Sequence, residues 1–153
     1  MRGITNIWKG NRLFYLVFLF STVFFVYQHS TGLSWDFSVY VLNAKYIFSN
    51  GFYFEWNRPP FAPFAMGILS IFGGGAAEYI YIILVSAMFA YSSKMLADRI
   101  KVDEVLFYGL LLSPFVLNTG LYLGTELLYF SFLQLAIAYL NKARSAAFIS
   151  LLS

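Results

Sequence analysis

Residues 61–72 read FAPFAMGILSIF, and three glycines follow at 73–75. As a helix, these twelve residues reach about 18 Å at 1.5 Å per residue, against a hydrocarbon core of about 30 Å. Whether this stretch crosses a bilayer fixes the side on which every later loop lies. Its length favours a re-entrant, interfacial or protein-packed segment.

The question arises because the whole chain is apolar. Of its 153 residues, 60% are hydrophobic and only 11% charged, and the mean hydropathy is +0.70. A soluble domain needs far more polar surface, so the composition reads as an integral membrane protein. There is no cysteine, which excludes disulfides, a thiol nucleophile and zinc–thiolate sites. A single histidine, His29, excludes a histidine-rich metal cluster. The net charge of +3 is too small and too scattered for nucleic-acid binding. The 18 Phe, 12 Tyr and 3 Trp suit a bilayer and its interfaces.

Four other apolar runs reach or approach spanning length, at about 12–28, 79–97, 106–123 and 125–140. Charge arbitrates the topology. If residues 61–72 do not cross, Arg2, Lys9, Arg12, Lys94, Arg99, Lys101, Lys142 and Arg144 fall on the N-terminal side. Only Lys45 and Arg58 fall on the other, a division of eight against two. Cytoplasmic loops carry such an excess of Lys and Arg. If residues 61–72 do cross, the bias collapses. The expected architecture is therefore an all-α, multispan membrane protein with a cytoplasmic N-terminus. Residues 29–78 form an extracytoplasmic segment with juxtamembrane helices at about 35–50 and 60–72. Residues 145–153, SAAFISLLS, open another apolar run. It reads as the start of a further helix at about 145, in a longer protein or in the first of several subunits.

The outer segment holds most of the chemistry. Ser34 is a candidate N-cap and Gly51 a candidate helix stop. Between them Asp36, Tyr40 and Asn43 recur at i, i+4 and i+7 and share a face. Asp36 is either a charge stabilised by the helix dipole or a functional carboxylate. Lys45 is either a snorkelling interfacial base or a ligand for an anion. Glu55 either pairs with Arg58 or stays solvated. Pro59 and Pro60 restrict the backbone around Arg58, whose planar fork of donors suits a phosphate. Glu126, in the stretch LGTELLYF, falls at the outer end of the last run. It is either a first-turn helix charge behind a Thr125 cap or an expensive acid retained for function.

The order of these motifs resembles the N-terminal part of the GT-C superfamily of membrane glycosyltransferases, which includes protein O-mannosyltransferases and lipid A aminoarabinose transferases. WDFSVYVLNAKYIFSNG (35–51) resembles the family's first outer helix, with Asp36 at the family acid. RPPF (58–61) resembles its basic residue, Pro-Pro and juxtamembrane helix, and LSPFVLNTGLYLGTELLYF (112–130) its second outer loop. Where many members carry a second acid or histidine beside the first acid, this chain has Phe37.

The resemblance implies transfer of a sugar from a polyprenyl or dolichyl phosphate carrier to an acceptor on the extracytoplasmic side. Asp36 would be catalytic, Arg58 and Lys45 would bind the lipid phosphate, and Glu126 would orient the acceptor or bind a divalent metal ion. The family has metal-dependent and metal-independent members, so the resemblance leaves a metal open. The partners implied are the lipid-linked sugar, membrane lipid and the remaining C-terminal part of the protein or partner subunits. The alternative is a non-catalytic membrane scaffold or accessory subunit for lipid-linked sugar handling.

Overall fold

A computed structural model of the chain describes residues 2–32, 34–120 and 125–139, with side chains from Arg12 onward. Every regular element among them is helical. Two helices are long and apolar enough to cross a membrane by length and composition. One is residues 12–31 of α1 (Arg2–Thr31), the other α4 (Gly74–Ile100).

In α1, Val17, Ser21 and Phe25 are buried at i, i+4 and i+8. Leu16, Leu19, Phe20, Val23 and Tyr27 are exposed on the opposite side. An apolar stripe of this kind is an association surface in water and an ordinary surface against hydrocarbon. The end of α1 meets the start of α4 through His29 Nε2 and Glu78 Oε2, 2.9 Å apart. The His29 ring packs against Phe37 and Tyr79, with centroids 4.7 and 5.2 Å away. The two long helices are thus antiparallel neighbours.

That connection contains α2 (Trp35–Phe48), α3 (Phe61–Leu69) and a 3-10 turn, Ser70–Phe72. The decisive stretch 61–72 is one short helix tightening into a 3-10 turn, and Gly73 ends it at φ 101°, a conformation that suits glycine. It packs on α2 and α4. Ser34 caps α2 as the sequence implies, accepting the Phe37 N–H at 3.2 Å. Gly51 also does what its position implies: its N–H reaches back six residues to the Lys45 carbonyl at 3.3 Å. A Cβ there would collide with the Tyr46 backbone.

After α4 the chain returns through α5 (Glu104–Leu111) and α6 (Pro114–Gly120). The continuous span expected over 106–123 is interrupted here. Pro114 has no N–H and its ring disfavours helix in the residue before it. The ladder closes at Leu112 N–H to Tyr108 O (2.8 Å) and Ser113 N–H to Leu110 O (3.1 Å), and restarts with Leu117 N–H to Ser113 O. The α6 end returns to the α1 end, where Gln28 Nε2 donates to Asn118 O at 3.4 Å.

Helix α7 (Glu126–Ala138) then runs parallel to α4. The two share a buried polar seam: Ser92 Oγ and Ser93 Oγ lie 2.7 and 3.2 Å from Gln134 Oε1. The run expected at 79–97 lies within α4, and of the run expected at 125–140 the described residues show a helix over 126–138, shorter than the two candidate spans. The further helix expected at about 145 lies outside the described residues.

Candidate functional site

The site is assembled at the end of the bundle where α1 finishes and α4 and α7 begin. Its base is α2. Asp36 sits in the first turn, where the helix dipole favours a carboxylate. One turn on, Tyr40 is buried and its hydroxyl lies 3.2 Å from Thr125 Oγ1, tying α2 to the start of α7. A turn further, Asn43 is buried and binds the backbone of Glu55 at both ends. The Glu55 N–H donates to Asn43 Oδ1 (2.9 Å) and Asn43 Nδ2 donates to the Glu55 carbonyl (3.1 Å). The shared face of Asp36, Tyr40 and Asn43 is real, but Asn43 serves to hang the 52–58 loop on α2.

The loop carries its own chain of side-chain bonds. The Tyr53 hydroxyl donates to Glu55 Oε1 at 2.6 Å, and Arg58 Nε donates to Glu55 Oε2 at 2.9 Å. Arg58 Nη2 pairs with Asp36 Oδ1, and its guanidinium stands 5.9 Å from the centre of the Tyr40 ring. The Tyr53 hydrogen bond, reinforced by Arg58, holds the Glu55 carboxyl below its ordinary range. The same bond pushes the Tyr53 phenol up, and Glu55 followed by Asp36 makes Arg58 still harder to deprotonate. About a quarter of each of the Asp36, Glu55 and Arg58 side chains remains exposed, so the cluster sits at a polar surface.

The next residues turn toward α7. Pro59, Phe61, Thr125, Glu126, Leu128 and Tyr129 line a cavity of about 190 Å³. The Glu126 carboxylate accepts the Thr125 N–H at 3.1 Å and is exposed. Phe61 and Leu128 also form one edge of an apolar groove of about 320 Å³ that runs down α3 and α4 past Ile68, Tyr81 and Met88. The cavity, with Thr125 and Glu126 on its rim, and the apolar groove therefore share Phe61 and Leu128.

Of the sequence-derived site residues, Asp36 and Arg58 are in contact, and Glu126 stands on the cavity that begins at Pro59. Lys45 is not brought to Arg58. Nine residues after Asp36, it lies half a revolution round α2 and about 13 Å along it. It lines a separate crevice with Ser49, Ser70 and Glu78. A divalent ion does not fit the cluster as built, because two of its carboxylates already share the arginine cation. Among the described residues, no three His, Asp or Glu side chains converge on one point. Glu55 takes the first of its two sequence alternatives and pairs with Arg58; the residues that sequence reasoning missed are Asn43 as its support and Tyr81 on the groove wall.

Comparison of the chain with family models, with characterised proteins and with solved structures returns no match. The class defined by the coordinates is an all-helical chain with two helices fit to cross a membrane and a charged cluster at one end of them.

Proposed function

We propose that this chain is part of a multispan extracytoplasmic glycosyltransferase that uses a polyprenyl or dolichyl phosphate sugar. The observation that carries the reading is a cavity lined by Glu126 and by Pro59, the neighbour of the Asp36-paired Arg58, which shares Phe61 and Leu128 with an apolar groove. A lipid-linked sugar needs that combination: a channel for hydrocarbon, a cation for phosphate and an acid for the acceptor. The eight-to-two distribution of basic residues supports an extracytoplasmic position for this end.

Arg58 holds Asp36 through Oδ1, and Oδ2 is the oxygen that would take the acceptor's proton. In the transfer step the acceptor O–H or N–H proton goes to Asp36. A bond forms between the acceptor atom and the anomeric carbon, and the bond from that carbon to the phosphate oxygen breaks. The lipid phosphate leaves with the electron pair. Arg58 uses two of its five N–H donors on Glu55 and Asp36, and the others meet the developing phosphate charge. Glu126 orients the acceptor across the cavity. No step requires a metal.

The test is sugar transfer from a polyprenyl phosphate sugar by the full-length protein. Asp36→Asn leaves the fold intact and removes transfer; full activity in that variant refutes the base assignment. The double clamp on Arg58 also favours a second reading, in which the arginine is a structural staple and the chain is an accessory subunit that holds the lipid carrier. In that case the parent protein binds the carrier and transfers nothing.

A further inference from the structure

Five buried side-chain polar atoms among the described residues lack a hydrogen-bond partner: Thr22 Oγ1, Tyr81 Oη, Ser86 Oγ, Tyr108 Oη and Gln134 Nε2. An unpaired buried group of this kind costs about 1–3 kcal/mol, so each calls for a reason. Tyr81 differs from the rest by its place. It is 2% exposed and, among the described residues, is the one with a polar side chain on the wall of the apolar groove. Its ring packs edge-on against Phe37, with centroids 6.3 Å apart, and its hydroxyl lies within electrostatic reach of Tyr40 and Glu126. Tyr40 is bonded to Thr125, and Thr125 and Glu126 line the cavity. The buried hydroxyl thus lies on the Tyr40 and Glu126 side of the groove wall.

We propose that Tyr81 is a ligand-binding residue whose hydroxyl donates a hydrogen bond to the phosphoester oxygen of an isoprenyl phosphate, with the isoprenyl chain lying in the groove. The inference rests on the lipid-carrier reading above and adds to it a contact point. A chain in the groove and a head group in the cavity put the first polar atoms after the hydrocarbon at their junction. In an isoprenyl phosphate those atoms are the phosphoester oxygens. A phenol there supplies a donor that the free protein leaves unused, and the bound phosphate supplies its missing partner.

Titrating the purified full-length protein with farnesyl phosphate, farnesol and inorganic phosphate tests the assignment. Tyr81→Phe keeps the ring and deletes only the unpaired oxygen, so the free variant unfolds at the same temperature as the parent or slightly higher. Its affinity for farnesyl phosphate falls by up to about tenfold, the upper end for one hydrogen bond, and farnesol, whose hydroxyl oxygen takes the place of the ester oxygen, weakens in the same direction. Arg58→Gln weakens farnesyl phosphate in the same way. If Arg58→Gln weakens binding and Tyr81→Phe does not, the Tyr81 assignment is overturned and the carrier reading stands. If the parent protein does not bind farnesyl phosphate, both fall. If inorganic phosphate alone saturates the site with the same sensitivity to Tyr81→Phe, the ligand is a free anion and the lipid assignment is overturned.

Discussion

Removing the Asn43 carboxamide should loosen the arginine before it disturbs the helices. Asn43 is 1% exposed and closes two hydrogen bonds on the Glu55 backbone, 2.9 and 3.1 Å long. In Asn43→Ala both Glu55 groups lose their partner. Such losses cost about 1–3 kcal/mol each when fully buried, but Glu55 is only half-buried, which puts the total near 2 kcal/mol. For a chain of this size that corresponds to a fall of about 4–8 °C in unfolding temperature.

Asn43→Asp separates the two bonds. The carboxylate still accepts the Glu55 N–H but now faces the Glu55 carbonyl with an oxygen. Protonation restores a donor, so the folded-state pKa of the new carboxyl is raised above its unfolded value. Its stabilising contribution is therefore present below about pH 4 and lost as pH rises through the raised value. Thermal unfolding of parent, Asn43→Ala and Asn43→Asp between pH 4 and 8 should show a gap between Asp and parent that widens with pH. The Ala–parent gap should stay constant. An Asn43→Ala protein within 1 °C of the parent, or an Asn43→Asp gap that is independent of pH, refutes the clasp, about 1 °C being well under the loss of one such bond.

The acid side of the parent's own stability curve belongs to Glu55. Its depressed carboxyl contributes above the ordinary value of 4.5, and the contribution disappears as pH falls through the depressed one. Melting curves from pH 6 downward should be flatter in Glu55→Gln than in the parent. Ser34→Ala removes the cap on α2 and should cost about 1 kcal/mol, read as a fall in unfolding temperature with the ligand titration otherwise unchanged. Gln134→Leu should be neutral within about 1 kcal/mol or stabilising, as is usual when a half-satisfied buried polar group gives way to hydrocarbon. The reason is that Ser92 and Ser93 each lie within reach of the Phe89 carbonyl, at 3.0 and 2.7 Å, and can spend their single proton there. A large loss in Gln134→Leu would show that the amide carries the α4–α7 seam.

Much of this arrangement is readable in the chain, because the signals involved are local. Ser34, the glycines at 51 and 73, and the twelve-residue limit of 61–72 mark their elements through capping, chain reversal and length alone. Pro114 carried an equally local signal, but an apolar run long enough to span masked it. The face opposite Asp36 was also computable for Lys45 from nine steps of 100°. The contacts that make the site were not legible. Asp36 with Arg58, His29 with Glu78, and Tyr40 with Thr125 are separated by 22, 49 and 85 positions, and depend on how helices stack. Asn43 looked like polar company for an acid because its shared face with Asp36 is true. Its partner is a backbone segment that no periodicity reveals.

The hanging of the 52–58 loop on Asn43 has a mechanical consequence. Asp36, Asn43, Glu55 and Arg58 form one jaw, since all four are borne by α2 or by the strap fastened to it. Glu126 belongs to the opposing jaw on α7, and the phenol–hydroxyl contact between Tyr40 and Thr125 bridges the two. Sliding of α2 over the bundle therefore preserves the spacing of acid and arginine while changing the gape toward Glu126, so a bulky guest can wedge the mouth wider without pulling the charge pair apart.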